Sequence, residues 1–164
     1  MKQGGFTLIE IIVIWGIVAT LIGIGLIGTL AFRSSSTLSA SGLTLAGDLR
    51  SSQMKAMVAD TEGRGAPDAY GIFFAPVSYT LFHGTTYSPI DTSNFIVPIG
   101  DNLAIATTLA GNQLVFATAS GEPITSISPG SDTVTIRDTT TTSQFTITLN
   151  RYGVIISQQL GQLL

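Results

Sequence analysis

Residues 11–32 contain no charged side chain. A helix needs roughly 20 apolar residues to cross the hydrocarbon core of a bilayer. This run therefore separates a membrane-type helix from everything that follows. A secretory signal has a shorter apolar core, about 7–15 residues, with a small-residue cleavage site behind it. Here the run leads into Arg33-Ser34-Ser35-Ser36 and no such site. The plain expectation is an uncleaved single-pass anchor with Lys2 holding the amino terminus in the cytoplasm. Lys2 and Arg33 nearly balance, so flanking charge decides little about orientation. The 45% hydrophobic content is inflated by this one run. No later stretch approaches 18 apolar residues, which excludes a polytopic membrane protein.

A plain anchor gives no reason for Glu10. A carboxylate in a membrane helix costs about 2.5–3.5 kcal/mol at the centre and less near an end. A helix amino terminus offsets up to about 1 kcal/mol of that. Gly5-Phe6-Thr7-Leu8-Ile9-Glu10, followed by a long apolar helix, resembles the type III signal of type IV pilins and type II secretion pseudopilins. The resemblance implies that residues 1–5 are a leader, cut after Gly5 by a prepilin peptidase/N-methyltransferase that methylates the new amino terminus, Phe6. It further implies partners in other pilin or pseudopilin subunits and in an assembly platform of the cytoplasmic (inner) membrane. The carboxyl-terminal domain would lie outside that membrane and later in a pilus or pseudopilus filament.

Physical chemistry fits these implied roles. Gly5 has no side chain to obstruct close approach of a protease. An unpaired Glu10 among apolar helices would be expensive. The protonated amine of Phe6 on an adjacent subunit would remove that cost and set axial register. The run contains Gly16, Gly23, Gly25 and Gly28 but no proline. Ala19 and Gly23 form a small-xxx-small pair suited to close helix approach; ordinary membrane-helix glycine is the rival explanation.

Beyond residue 32 the apolar pattern becomes periodic. Leu38, Leu45, Leu49 and Ala56 share one helical face, and Leu43, Ala46, Met54, Met57 and Val58 broaden it. Asp48, Arg50, Gln53, Lys55 and Asp60 fall largely outside. The helix is expected to continue to about Ala59, with weak points at Ser34–Ser36 or Gly42. Residues 61–68 read as a loop. Strand-like runs follow at 70–75, 79–83, 95–99, 103–108, 113–117, 133–137, 144–149 and 154–158. Asp138 to Thr142 and Asn150-Arg151-Tyr152-Gly153 are expected hairpin connections. The organisation is thus leader 1–5, apolar helix 6–32, amphipathic helix 33–60 and a β-rich extracytoplasmic region 61–164. The expected fold class is α+β, one long helix packed on antiparallel sheet.

Three later stretches narrow the resemblance. Leu49 to Met57, Leu114-Val115-Phe116 with Gly121, and Phe145 to Val154 are similar to segments of GspH/FimT-like minor pseudopilins and pilins. They imply a minor subunit; a major pilin is the alternative.

Little catalytic equipment is legible. His83 is the sole histidine, and a hydrogen-bonded structural histidine is the default for such a residue. No Gly-x-Ser-x-Gly, phosphate-binding loop or zinc spacing occurs, so no enzyme is expected. There is no cysteine, which removes disulfide and thiol chemistry. No cofactor is expected. Asp91, Asn94 and Asp101 are weak candidates for calcium, which takes six to eight oxygens; asparagine and aspartate in turns need only backbone capping to explain them.

The competing class is an anchored binding module, an adhesin or a DNA-uptake minor pilin. The net charge is −3, and would be −4 without Lys2. Arg137 and Arg151 are isolated and the residues after 151 carry no positive charge. DNA binding needs several cations on one surface, so nucleic acid is not an expected partner. Tyr70, Phe73, Phe74, Tyr79, Phe82 and Tyr87 would serve an adhesive face if exposed, but core packing is the default.

Overall fold

A computed structural model describes residues 7–128 and 132–162, with residues 24–35 described by their backbone alone. Gly5 and Phe6 lie outside the described residues. The chain divides into two compact units, Met1–Ser36 and Thr37–Leu164. Helix α1 spans Leu8–Met57 and contributes to both.

In the first unit, the described side chains of α1 are exposed on every side, including Leu8, Ile12, Trp15 and Leu21. Among the described residues, no helix is long and apolar enough to cross a membrane. The span expected at 6–32 draws on residues outside that description.

The described residues of the second unit form eight strands. They are β1 (Tyr70–Ala75), β2 (Ser78–His83), β3 (Phe95–Pro98), β4 (Leu103–Thr107), β5 (Gln113–Phe116), β6 (Thr133–Asp138), β7 (Ser143–Leu149) and β8 (Ile155–Gln162). They form two antiparallel sheets, ordered β3-β2-β1-β5 and β4-β6-β7-β8. The sheets meet where Ile105 of β4 donates its N–H to the Pro76 carbonyl in the β1–β2 turn, at 2.8 Å.

Within this unit α1 buries a narrow stripe: Leu38, Gly42, Leu45, Leu49, Ser52 and Ala56, with Ala46 beside it. The alternating steps of four and three keep one face toward both sheets. That stripe joins Ile72, Phe74, Tyr79, Leu114, Phe116, Ile136, Phe145 and Ile147 in one core. Truncating a fully buried leucine here, such as Leu45 or Leu49, would cost about 2–5 kcal/mol.

The expected breadth of the helical face is corrected. Leu43, Met54, Met57 and Val58 are exposed, because each falls off the four-three stripe or, for Val58, past the helix end. The expected weak points are corrected as well. Backbone helix continues through Ser34–Ser36 and Gly42. Gly42 is a close-approach residue: a Cβ there would lie 2.3 Å from the Phe145 ring.

The two expected hairpins have local chemical causes. Asp138 Oδ1 accepts hydrogen bonds from the Thr140 N–H, the Thr140 hydroxyl and the Thr141 N–H. Asn150 Oδ1 accepts from Tyr152 and Val154 N–H, each at 2.9 Å, and Gly153 takes φ +72°. Side-chain acceptors of this kind replace the backbone partners that a turn leaves unpaired.

Candidate functional site

Three places hold the residues to which the sequence assigns chemistry. The first is the start of α1. Thr7 Oγ1 accepts the Glu10 N–H at 3.4 Å, while Glu10 Oε2 accepts the Thr7 N–H at 3.3 Å and the Thr7 hydroxyl at 3.2 Å. This is a reciprocal capping box, in which two otherwise orphaned donors of a helix start are satisfied. Thr-x-x-Glu before an apolar run is a readable signal, and it supplies a local reason for Glu10. The inference that an anchor would have no use for this carboxylate is therefore corrected. From Thr7 to Gly23, where side chains of the first unit are described, Glu10 is the one charged residue, and apolar side chains behind it are bare: Leu8 is 78% and Trp15 69% exposed. Gly16 and Gly23 have open space where a Cβ would be.

The second place surrounds His83, at the end of β2. The register pairs His83 with Tyr70, whose rings meet edge-on at 4.9 Å. Glu62 gathers three basic side chains: Lys55 Nζ at 2.5 Å, His83 Nε2 at 3.1 Å and Arg64 Nη1 at 3.5 Å. Arg64 Nη2 also donates to the Tyr70 hydroxyl, which donates to the Asp60 carbonyl. The hydrogen bond from Lys55 holds the Glu62 carboxyl below its ordinary range and the Lys55 ammonium above its own. Burial, then the neighbouring Arg64 guanidinium, push His83 below its ordinary value. It is thus the neutral imidazole that the fold prefers.

This cluster latches the loop after α1 to the edge of β1 and β2. It lacks the layout of a base-activated nucleophile. His83 Nδ1 is buried without a hydrogen-bond partner among the described residues, so no third group orients the ring. Ser93, which lines the same open groove of about 380 Å3, donates its hydroxyl to Asp91. Tyr70 is pushed up by burial, which keeps its phenol protonated.

The third place is the turn before β3. Asp91 Oδ1 accepts from the Ser93 N–H at 2.9 Å and its hydroxyl at 2.7 Å. These bonds lower the Asp91 carboxyl. Asn94 Nδ2 donates to the Ser88 carbonyl, and Asp101 stands exposed in the turn before β4. Among the described residues, no three His, Asp or Glu side chains converge as a metal site would require.

The aromatic residues are core elements. Tyr70, Phe74 and Tyr79 sit in the main core. On the other face of the first sheet, Phe82 belongs to a smaller cluster with Phe73 and Tyr87 packed on it. The buried Tyr79 hydroxyl donates to Asp48 Oδ2 at 2.5 Å, an anchor between β2 and α1 that no periodicity reveals. Arg137 is exposed, and Arg151 stacks on Tyr152 at 4.5 Å.

No protein-family model and no curated protein matches the chain. Among solved structures, it is similar to the crystal structure of the type IV minor pilin FimU of Pseudomonas aeruginosa, with a TM-score of 0.51 and 18% identity. The match covers 76% of this chain and 92% of that one. The likeness is one of architecture: the chain has a pilin-like α+β fold.

Proposed function

We propose that this chain is a structural subunit, of the minor type, of a type IV pilus or type II secretion pseudopilus. Residues 1–5 are removed after Gly5, Phe6 is N-methylated, and α1 inserts first in the membrane and then in a filament. The observation that carries this reading is the start of the first unit's helix, bare and apolar on every side from Leu8 to Gly23, with Glu10 alone charged in that stretch. Such a surface requires lipid or other helices around it. The pilin-like fold of the chain supports the same reading. In a filament, Glu10 would face the protonated amine of Phe6 on a neighbouring subunit; N-methylation keeps that amine cationic. The reading needs no catalytic residue and no cofactor, and its partners are the processing enzyme, sibling subunits and the assembly platform.

The capping box dictates the test. Glu10→Gln keeps both capping hydrogen bonds and removes the charge, whereas Glu10→Ala also removes the bonds that the carboxylate accepts from Thr7. Membrane insertion and cleavage should survive in Glu10→Gln while filament incorporation fails. Wild-type incorporation of Glu10→Gln would overturn the charge pairing. Mass spectrometry of filament-associated protein should begin at methylated Phe6; retention of Met1, or a start beyond Phe32, would refute the family assignment.

A further inference from the structure

Among the described residues, four strand edges terminate the two sheets, and three of them are blunted. The β3 edge has four residues and ends in Pro98, which has no N–H to offer. The β5 edge is covered by the chain's return: Ile124 donates to the Val115 carbonyl, Ala117 to the Glu122 carbonyl, and Pro123 bridges Phe116. The β4 edge is occupied by the Pro76 carbonyl. Among the described residues, β8 alone is open. It is the longest of the described strands, pairs with β7 alone among them, and contains neither charge nor proline.

Proteins normally protect such an edge with lysine, proline or a bulge. Here an irregularity in register falls opposite Thr148 and Leu149, at the Ile155–Ser157 end of β8. The stretch Ser157-Gln158-Gln159-Leu160-Gly161-Gln162 pairs regularly. Leu160 lies opposite Phe145, and Gln158 opposite Ile147. Directly opposed residues share a face, so Leu160 and Gln158 extend the core face past its last covered strand. Leu160 is nevertheless 52% exposed. It is the sole apolar side chain in the regular stretch.

We infer that β8 pairs antiparallel with β8 of a second copy of this chain, on a two-fold axis at Leu160. That register sets Leu160 against Leu160 of the second copy, Gln158 against Gln162, and Gln159 against Gly161. The apolar pair sits at the centre and uncharged amides flank it, so nothing repels. The joined sheet reads β4-β6-β7-β8 continued by the same four strands in reverse. Because the β4 edges are already occupied, pairing closes at two copies. The contact lies wholly in the second unit and does not depend on the filament reading; failure of the Glu10 or Phe6 tests would leave it standing, and the reverse holds too.

The absence of cysteine makes the register directly measurable. Single variants Gln158→Cys, Gln159→Cys, Leu160→Cys and Gly161→Cys would be oxidised in membranes as the full chain, with Thr142→Cys in an exposed turn as control. A residue facing its own copy lies about 4.5–5.5 Å away between Cα atoms, within disulfide reach. Leu160→Cys should give disulfide-linked dimer several-fold above the other four. No excess at 160, or a maximum at another position, would overturn the proposal. In the Leu160→Cys background, Gln158→Lys with Gln162→Lys should suppress the dimer by setting like charges opposite each other. Gln158→Lys with Gln162→Glu should restore it. Equal yields from the two charge patterns would also overturn it.

Discussion

Single residues do work here that their types do not advertise. Glu10 completes a capping box with Thr7 and is proposed to carry the intersubunit charge as well. Gly42 shows a similar contrast. In an exposed helix, replacing glycine by alanine stabilises by about 1 kcal/mol. At this position the added Cβ would lie 2.3 Å from the Phe145 ring, and overpacking of a core costs about 1–3 kcal/mol. The second effect wins: Gly42→Ala should lower the free energy of chemical unfolding. Adding Phe145→Leu, which shortens the opposing side chain, should make the Gly42 change less damaging than it is alone; an undiminished effect would place its cause elsewhere.

His83 and Glu62 set an acid limit. Both have values below their ordinary ones of 6.5 and 4.5 in the folded chain. The unfolded chain therefore takes up protons first as pH falls. Stability from His83 is fully present above about pH 6.5 and declines as pH falls through its folded value. Glu62 adds a further loss that begins below about pH 4.5. Thermal melts between pH 7.5 and 5.5 should show a smaller decline in His83→Gln than in the parent chain. An unchanged decline would assign the upper acid limb to another group.

At the scale of elements, the strands were readable and their partition was not. Thr133 to Arg137 and Phe145 to Leu149 alternate because one face is buried, and Asn, Asp and Gly mark where they stop. Nothing in residues 103–107 says that β4 leaves the first sheet for the second. That choice is made by pairing with β6 in the Leu103–Asp138 register, while Ile105 keeps one hydrogen bond to Pro76 beside the first sheet. The helical face was overdrawn for a related reason. Hydrophobicity alone admits Met54 and Met57, whereas the packed stripe takes Ser52, a position chosen by geometry. Likewise Gly5, Phe6 and Glu10 stand out by local motif, while the Lys55–Glu62–His83 latch is assembled by strand register from distant residues. The β7–β8 turn offers a clean test of turn chemistry. Gly153 combines φ +72° with 2.6 Å between a would-be Cβ and the Phe116 ring. Gly153→Ala should destabilise by about 1–3 kcal/mol, read as a lower denaturation midpoint with an unchanged denaturant slope.

For the molecule as a whole, stability is expected to rest on the core and the turns without a metal. A calcium site filled to 100 times its dissociation constant would add about 2.7 kcal/mol and raise the melting temperature by several degrees. Melting in millimolar calcium or in excess chelator should give the same midpoint. A calcium-dependent rise that Asp91→Ala abolishes would instead install that turn as a ligand site.

The return of β5 to β1 has a kinetic consequence. β1, β2 and β3 are joined in chain order, as are β6, β7 and β8; residues 76–77, 139–142 and 150–154 are short turns, and residues 84–94 join β2 to β3. By contrast Tyr70 meets Phe116 and Phe73 meets Gln113, across the whole interval that holds β2, β3 and β4. Non-local pairing of this kind bears a larger loop-closure cost and is slow. The last strand to dock should be β5, and until it does, the β1 edge stands open. Val115→Ala should therefore speed unfolding far more than it slows folding, and that asymmetry would date the moment at which the nascent domain becomes safe from its neighbours.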